Sequence, residues 1–219
     1  VAALQGKKSI AEMIRAQHTS FWVWFFRIYT KNMIRHHFAC VTIKGEWNDR
    51  DLPVLLIGNH FSWWDGFIAN YLNIKLFKKT FHVMMLEEQL KQRMFLSRAG
   101  AFSIDKGKRS MVETFSYAVD ILKNKKNLFV IYPQGKFQSI HDRPIIFEKG
   151  YFSILKKVVE SGFQLVFYVA LTDYFSFRKP MLTIHLKEQS FSSAISATDL
   201  EIMYNEFYLE AAGLQKELT

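Results

Sequence analysis

The residues able to do chemistry cluster in one stretch, Asn59-His60-Phe61-Ser62-Trp63-Trp64-Asp65-Gly66. An imidazole with an ordinary pKa of about 6.5 can take a proton at neutral pH, provided a neighbour fixes its tautomer and supports the cation it becomes; a carboxylate does both. Four apolar residues, Val54, Leu55, Leu56 and Ile57, lead into the motif and read as a buried strand, and an amphipathic stretch follows it. If the strand ends before His60 and a helix opens near Ser62, Asp65 falls in the first helical turn, within reach of the imidazole. That position is the carboxyl end of a strand, where open α/β sheets place ligand sites. A plainer reading stands beside this one. Ser62-x-x-Asp65 also fits a capping pattern, in which Asp65 only satisfies backbone N–H groups at a helix start.

Further candidates lie downstream. Pro133-Gln134-Gly135 follows a strand-like run, and a glycine there lets backbone N–H groups approach a substrate oxygen, as in an oxyanion or phosphate cradle; an ordinary turn would have the same sequence. Lys106, Lys108 and Arg109 follow Asp105, while Lys136 and Lys149 lie near Gly135 and Gly150. Converging on one pocket, these cations would hold phosphates; taken singly, each reads as a solvated surface charge.

Asn59-His60-x-x-x-x-Asp65 resembles the first motif of the 1-acylglycerol-3-phosphate type of glycerolipid acyltransferases, the PlsC-like family. Further matches follow in the family's order. Gly100-Ala101-Phe102-Ser103-Ile104-Asp105-Lys106 resembles its second motif, Gly-x-x-Phe-Ile-Asp-Arg. Tyr132-Pro133-Gln134-Gly135 resembles its third, Phe-Pro-Glu-Gly-Thr-Arg-Ser, and Phe147-Glu148-Lys149-Gly150 resembles the Lys-Gly step beyond. The resemblance implies an O-acyltransferase that moves a fatty acyl group directly from acyl-CoA or acyl-carrier protein to the hydroxyl of a lyso-lipid. His60 would be the general base and Asp65 its partner, with no covalent acyl-enzyme, so Ser62 and Cys40 are not nucleophile candidates. Asn59, Lys106, Arg109, Gln134, Gly135, Lys136 and Lys149 become the candidate substrate-binding residues, with no cofactor beyond the donor substrate.

The chain departs from the family pattern in three places. Lys106 stands where the second motif has Arg, a point charge in place of a planar fork. In the third motif Gln134 replaces Glu, and Lys136-Phe137-Gln138 replaces Thr-Arg-Ser. The family arginine thought to hold the acceptor's phosphate is thus Phe137 here, which opens the way to an acceptor with another head, such as a lyso-aminolipid or glycolipid. The Pro-rich fourth motif is also unclear, because residues 166–171 lack the proline. These departures motivate the competing reading, a catalytically silent membrane- or lipid-binding protein on the same scaffold.

Composition narrows the partners. The 219 residues carry a net charge of +9 and are 49% apolar, with 21 Phe, which suits an anionic, greasy partner such as a membrane surface with anionic lipids. No RNA-binding signature or recognition-helix pattern supports nucleic acid. The single Cys40 excludes an internal disulfide framework and fits a reducing compartment, and His36-His37 lack companion metal ligands. No apolar run reaches the roughly 18 to 20 residues that span a bilayer. The first residue is not Met and no cleavable-signal pattern follows it, so the natural start is expected upstream.

The elements that must position these residues alternate. Residues 9–38 predict a helix whose aromatic centre, Phe21-Trp22-Val23-Trp24-Phe25-Phe26, is flanked by Lys7, Lys8, Arg15, Arg27, Lys31 and Arg35. Such a helix either lies in the headgroup region or packs its aromatics into the core, and opposite faces can do both. Strands are predicted at 41–47, 54–57, 101–104, 128–132, 164–171 and 181–186, a second short apolar run lies at 81–86, and helices are predicted at 87–96, 109–124 and 151–160. A closing helix is predicted to be capped by Thr198-x-x-Glu201. The resulting expectation is α/β: a largely parallel mixed sheet flanked by helices, with an N-terminal amphipathic membrane-contacting segment (1–40) ahead of the acyltransferase domain (41–219), peripheral on the cytoplasmic face of a membrane.

Overall fold

The computed structural model describes residues 13–105, 110–148, 150–159 and 162–215. Its centre is the strand β2 (Val54–Gly58), all five residues of which are buried. Because successive side chains point to opposite faces, a wholly apolar strand needs cover on both sides. Val54 and Leu56 face one core with Ile34, Ile68 and Leu72. Leu55 and Ile57 face another with Leu122, Leu155 and Phe207.

The remaining strands are β1 (Val41–Lys44), β3 (Thr80–Leu86), β4 (Ala101–Ile104), β5 (Asn127–Ile131), β6 (Gln164–Asp173) and β7 (Met181–Gln189), in the sheet order β1-β7-β6-β2-β5-β3-β4. β6, β2, β5, β3 and β4 run parallel; β7 returns antiparallel to β6, and β1 pairs parallel to β7. The helices are α1 (Ser20–His37), α2 (Asp65–Leu72), α3 (Glu87–Lys91), α4 (Ser110–Ile121), α5 (Phe152–Val158) and α6 (Ala197–Gln215). A π-helical turn, Asn73–Phe77, extends α2, and a 3-10 turn, Met94–Ala99, precedes β4. The protein is therefore α/β, with helices on both faces of a mostly parallel sheet.

Three local expectations are corrected. The first helix begins at Ser20, and residues 13–19 run as an extended strap in which Ser103 donates to the Ile14 carbonyl and Gln17 to that of Ser97. Residues 9–12 of the predicted helix lie outside the described residues. The strap pairs along the outer edge of β4, and those backbone bonds outweigh its helical propensity. The predicted helix 87–96 breaks after α3 into the separate 3-10 turn. The closing helix is capped by a box two residues earlier: Asp199 N–H donates to Ser196 Oγ and Ser196 N–H to Asp199 Oδ2. Glu201 instead accepts from the Phe147 N–H at 2.7 Å.

α1 divides its surface by helical period. Phe26, Thr30 and Ile34 are buried at four-residue spacing, and Thr30 Oγ1 accepts from Asn70 Nδ2 of α2. Phe21, Trp24, Phe25 and Ile28 are exposed on the opposite side. Among the described residues no helix is long and apolar enough to cross a membrane.

The buried His82 on β3 couples this packing to pH. Burial, aided by the neighbouring charge of His18, pushes its imidazole down to about 4. The folded chain thus binds this proton later than the unfolded one, near 6.5, as pH falls. The contribution is complete above pH 6.5, is lost between 6.5 and 4, and is level below. Wild type should lose about 3 kcal/mol of unfolding free energy across that window that His82→Leu does not lose, measured by urea unfolding at a series of pH values.

Candidate active site

His60 sits two residues past the carboxyl end of β2, and α2 opens at Asp65. The turn between them is held by one oxygen. Asp65 Oδ2 accepts from His60 Nδ1 at 2.7 Å, from the Phe61 N–H at 2.8 Å and from the Ser62 N–H at 2.9 Å. The capping and orienting roles read from the spacing are both filled by the same carboxylate. Its residue is only 1% exposed, and its other oxygen, Oδ1, is buried without a hydrogen-bond partner among the described residues. Burial pushes the carboxyl above its ordinary range, against the pull of the His60 hydrogen bond and the two backbone donors. A carboxylate so placed gains most when the imidazole beside it becomes a cation, because a buried charge is costly until it is paired.

The backbone of His60 is pinned from the third-motif loop. Its N–H donates to Gln134 Oε1, and its carbonyl accepts from the Gln138 N–H at 2.8 Å. Gln134 is buried, with Nε2 directed at Gln138 Oε1. The amide oxygen that receives His60 is an acceptor just as a carboxylate oxygen would be, so glutamine serves this contact as glutamate does. Asn59 is also buried; its amide exchanges two hydrogen bonds of 2.9 Å with the backbone of Ala170, prolonging the β2–β6 pairing by one residue.

Two aromatic rings pack against the imidazole. Tyr132 stacks on it with centroids 4.5 Å apart and planes 18° apart, and Phe137 lies 4.3 Å away at 43°. Tyr168 Oη donates to Tyr132 Oη at 3.1 Å, and Tyr204 Oη donates to the Tyr168 carbonyl. Burial pushes the phenols of all three tyrosines well up, so they stay neutral donors. In the sequence Tyr132 is a strand end that opens the third-motif match and Phe137 stands in place of an arginine, while nothing singles out Tyr168. No local signal marks a ring contact between residues 72 positions apart, such as His60 and Tyr132.

His60 opens onto a cavity of about 1200 Å³. Its walls are mostly apolar, including Trp22 and Phe26 of α1, Phe67 of α2, Met84 of β3 and Phe115 of α4. That exceeds the roughly 300–1,000 Å³ of an ordinary small-molecule pocket. Of the residues anticipated for substrate, Gly135 and Lys136 line it beside His60, whereas Asn59 and Gln134 stand behind the imidazole. Gly135 takes a left-handed φ of 60°, and its N–H closes a turn on the Tyr132 carbonyl at 3.1 Å. Lys106, Lys108, Arg109 and Lys149 lie outside the described residues.

Gly58 explains how the tyrosines reach the site. A Cβ there would stand 2.0 Å from the Tyr168 ring, so the last position of β2 must lack a side chain. Gly58→Ala should cost about 1–3 kcal/mol of stability in chemical denaturation, the range of an overpacked core; an unchanged midpoint would contradict the packing described.

A search of curated proteins finds no match to this chain. A family model does: the acyltransferase domain, of the PlsC type, matches residues 25–169, from α1 through most of β6. The matched span covers the His60–Asp65 turn, the Pro133-Gln134-Gly135 loop and five strands of the sheet. The chain belongs to the PlsC-type acyltransferase family.

Proposed function

We propose that this acyltransferase moves a fatty acyl group from a thioester, acyl-CoA or acyl-carrier protein, to the hydroxyl of a lyso-lipid at a membrane surface. The observation that carries the reading is the His60–Asp65 pair, 2.7 Å apart, facing an apolar cavity of about 1200 Å³. With Asp65 accepting from Nδ1, the lone pair of the neutral ring is on Nε2. The acceptor hydroxyl attacks the thioester carbonyl carbon while its proton passes to Nε2. Collapse of the tetrahedral intermediate breaks the C–S bond, and the thiolate leaves with the proton from the imidazolium. Asp65 acts by stabilising that cation and holding the tautomer. Apolar walls suit the hydrocarbon chains, and Lys136 suits an anionic group of donor or acceptor.

The acceptor we favour carries no phosphomonoester next to its reacting hydroxyl. Phe137 stands against His60 where the family has the arginine of its third motif, and an aromatic face offers a dianion no hydrogen-bond donor. A lyso-aminolipid or a glycolipid fits better. The competing idea of a silent lipid-binding scaffold drew on Gln134, but that side chain still anchors the His60 backbone, which removes its main motive. Membrane contact is assigned to the exposed aromatic side of α1, flanked by Arg27, Lys31 and Arg35, which suits an anionic headgroup layer.

Purified protein given acyl donor and lyso-lipid should release free thiol. His60→Ala should lower the rate by about 10²–10⁴ with an unchanged circular-dichroism spectrum. Asp65→Asn should cut kcat to a similar degree with KM little altered, because it spoils the tautomer rather than a substrate contact. Equal thiol release by wild type and His60→Ala would rule the mechanism out.

A further inference from the structure

Between β6 and β7 the chain turns through residues 174–179, Tyr-Phe-Ser-Phe-Arg-Lys, and none of that turn is absorbed by the site. Tyr174, Phe175 and Phe177 are 61%, 46% and 54% exposed. Among the described residues none of their rings has a ring partner; the turn is closed by the Phe177 N–H on the Tyr174 carbonyl. Phe175 holds a left-handed φ of 43°, unusual for an aromatic residue, and leaves about half of its surface open to solvent.

Position matters as much as exposure. The last pairing of β6 with β2 is Gly58 with Tyr168, and β6 continues to Asp173, carrying the turn roughly 16 Å beyond the end of β2. This is the carboxyl edge, on which His60 also lies. The root of the turn is tied to the end of α1: the Ala39 N–H donates to the Pro180 carbonyl at 2.9 Å and the Leu182 N–H to that of Cys40 at 3.0 Å. Arg178 and Lys179 are exposed, no acidic residue occurs from Tyr174 to Lys187, and none occurs from Met13 to Gly45.

We propose that the β6–β7 turn is a second foot of this enzyme on an anionic bilayer, set beside α1. The proposal rests on the reading that the protein works at a membrane surface. Aromatic rings followed by two cations match the interfacial layer, where rings sit at headgroup depth and cations meet anionic lipid. A second copy of the chain is a poor occupant, because it would set like-charged patches of two +9 molecules against each other. The second foot has a mechanical consequence. A single helix lying on a bilayer can roll about its own axis; a contact on another element stops the roll and fixes which way the cavity faces.

The test uses the full chain and sedimentation with vesicles of phosphatidylcholine alone or with a third of phosphatidylglycerol. The triple variant Tyr174→Ser, Phe175→Ser, Phe177→Ser should bind the anionic vesicles at least about tenfold more weakly than wild type, since it withdraws three rings from the interface. Arg178→Gln with Lys179→Gln should lose about fivefold per charge on anionic vesicles and change little on neutral ones. Both variants should keep the wild-type melting temperature and the wild-type thiol release on detergent-dispersed lyso-lipid. Vesicle binding equal to wild type in both variants overturns the proposal. So does unchanged vesicle binding accompanied by a shift from dimer to monomer in light scattering, which would make the turn an interface between copies. Vesicle binding is read without turnover, so failure of the acyl-transfer assay leaves this result standing on its own.

Discussion

A single carboxylate oxygen organises the site. Asp65 Oδ2 collects the His60 imidazole and the N–H groups of Phe61 and Ser62, so helix start, turn and base orientation share one contact. Three donors on one buried acceptor hold the turn together, because an N–H left unpaired inside a protein costs about 1–3 kcal/mol. Burial that would ordinarily penalise the carboxylate becomes useful in the proposed mechanism: the charge it carries is best repaid when His60 is cationic, the state that the proposed proton transfer would form.

The rest of the fold can be understood as delivery and enclosure. β2 brings the turn to the carboxyl edge of the sheet, and the loop after β5 returns to clamp the His60 backbone through Gln134 and Gln138. Tyr132 and Phe137 both pack against the ring. Tyr168 supports Tyr132 from behind, in space that Gly58 leaves empty. α1 and α2 wall one side of the cavity, and α4 with β3 the other. α1 therefore carries both a side that lines the cavity and an exposed aromatic side, the one proposed above to meet lipid.

Much of this was legible in the residues. The apolar run of β2, the five-residue spacing from His60 to Asp65 and the Pro-Gly turn after β5 are local patterns, and local patterns survive in sequence. The alternation of strands and helices announced the parallel sheet. What escaped depends on pairing across the chain. The strap of residues 13–19 gave up helix for bonds to residues 97, 98 and 103, and Ser196 displaced Thr198 as cap because Glu201 was taken by Phe147. The ring stack on His60 and the Gln134 clamp join residues more than seventy positions apart. Gln134 looked like a substrate contact in the sequence because the motif is contiguous, although its side chain turns inward to the backbone.

The claim on which the account turns is that, in the neutral ring of His60, Asp65 keeps the proton on Nδ1 and leaves Nε2 bare. Nitrogen NMR of protein labelled at histidine reads this directly, with His60→Gln to assign the signal. The account predicts a pyrrole-type Nδ1 bonded to a strongly deshielded proton and a pyridine-type Nε2, with that pattern lost in Asp65→Asn. A His60 signal with the proton on Nε2, or one unchanged by Asp65→Asn, would contradict it.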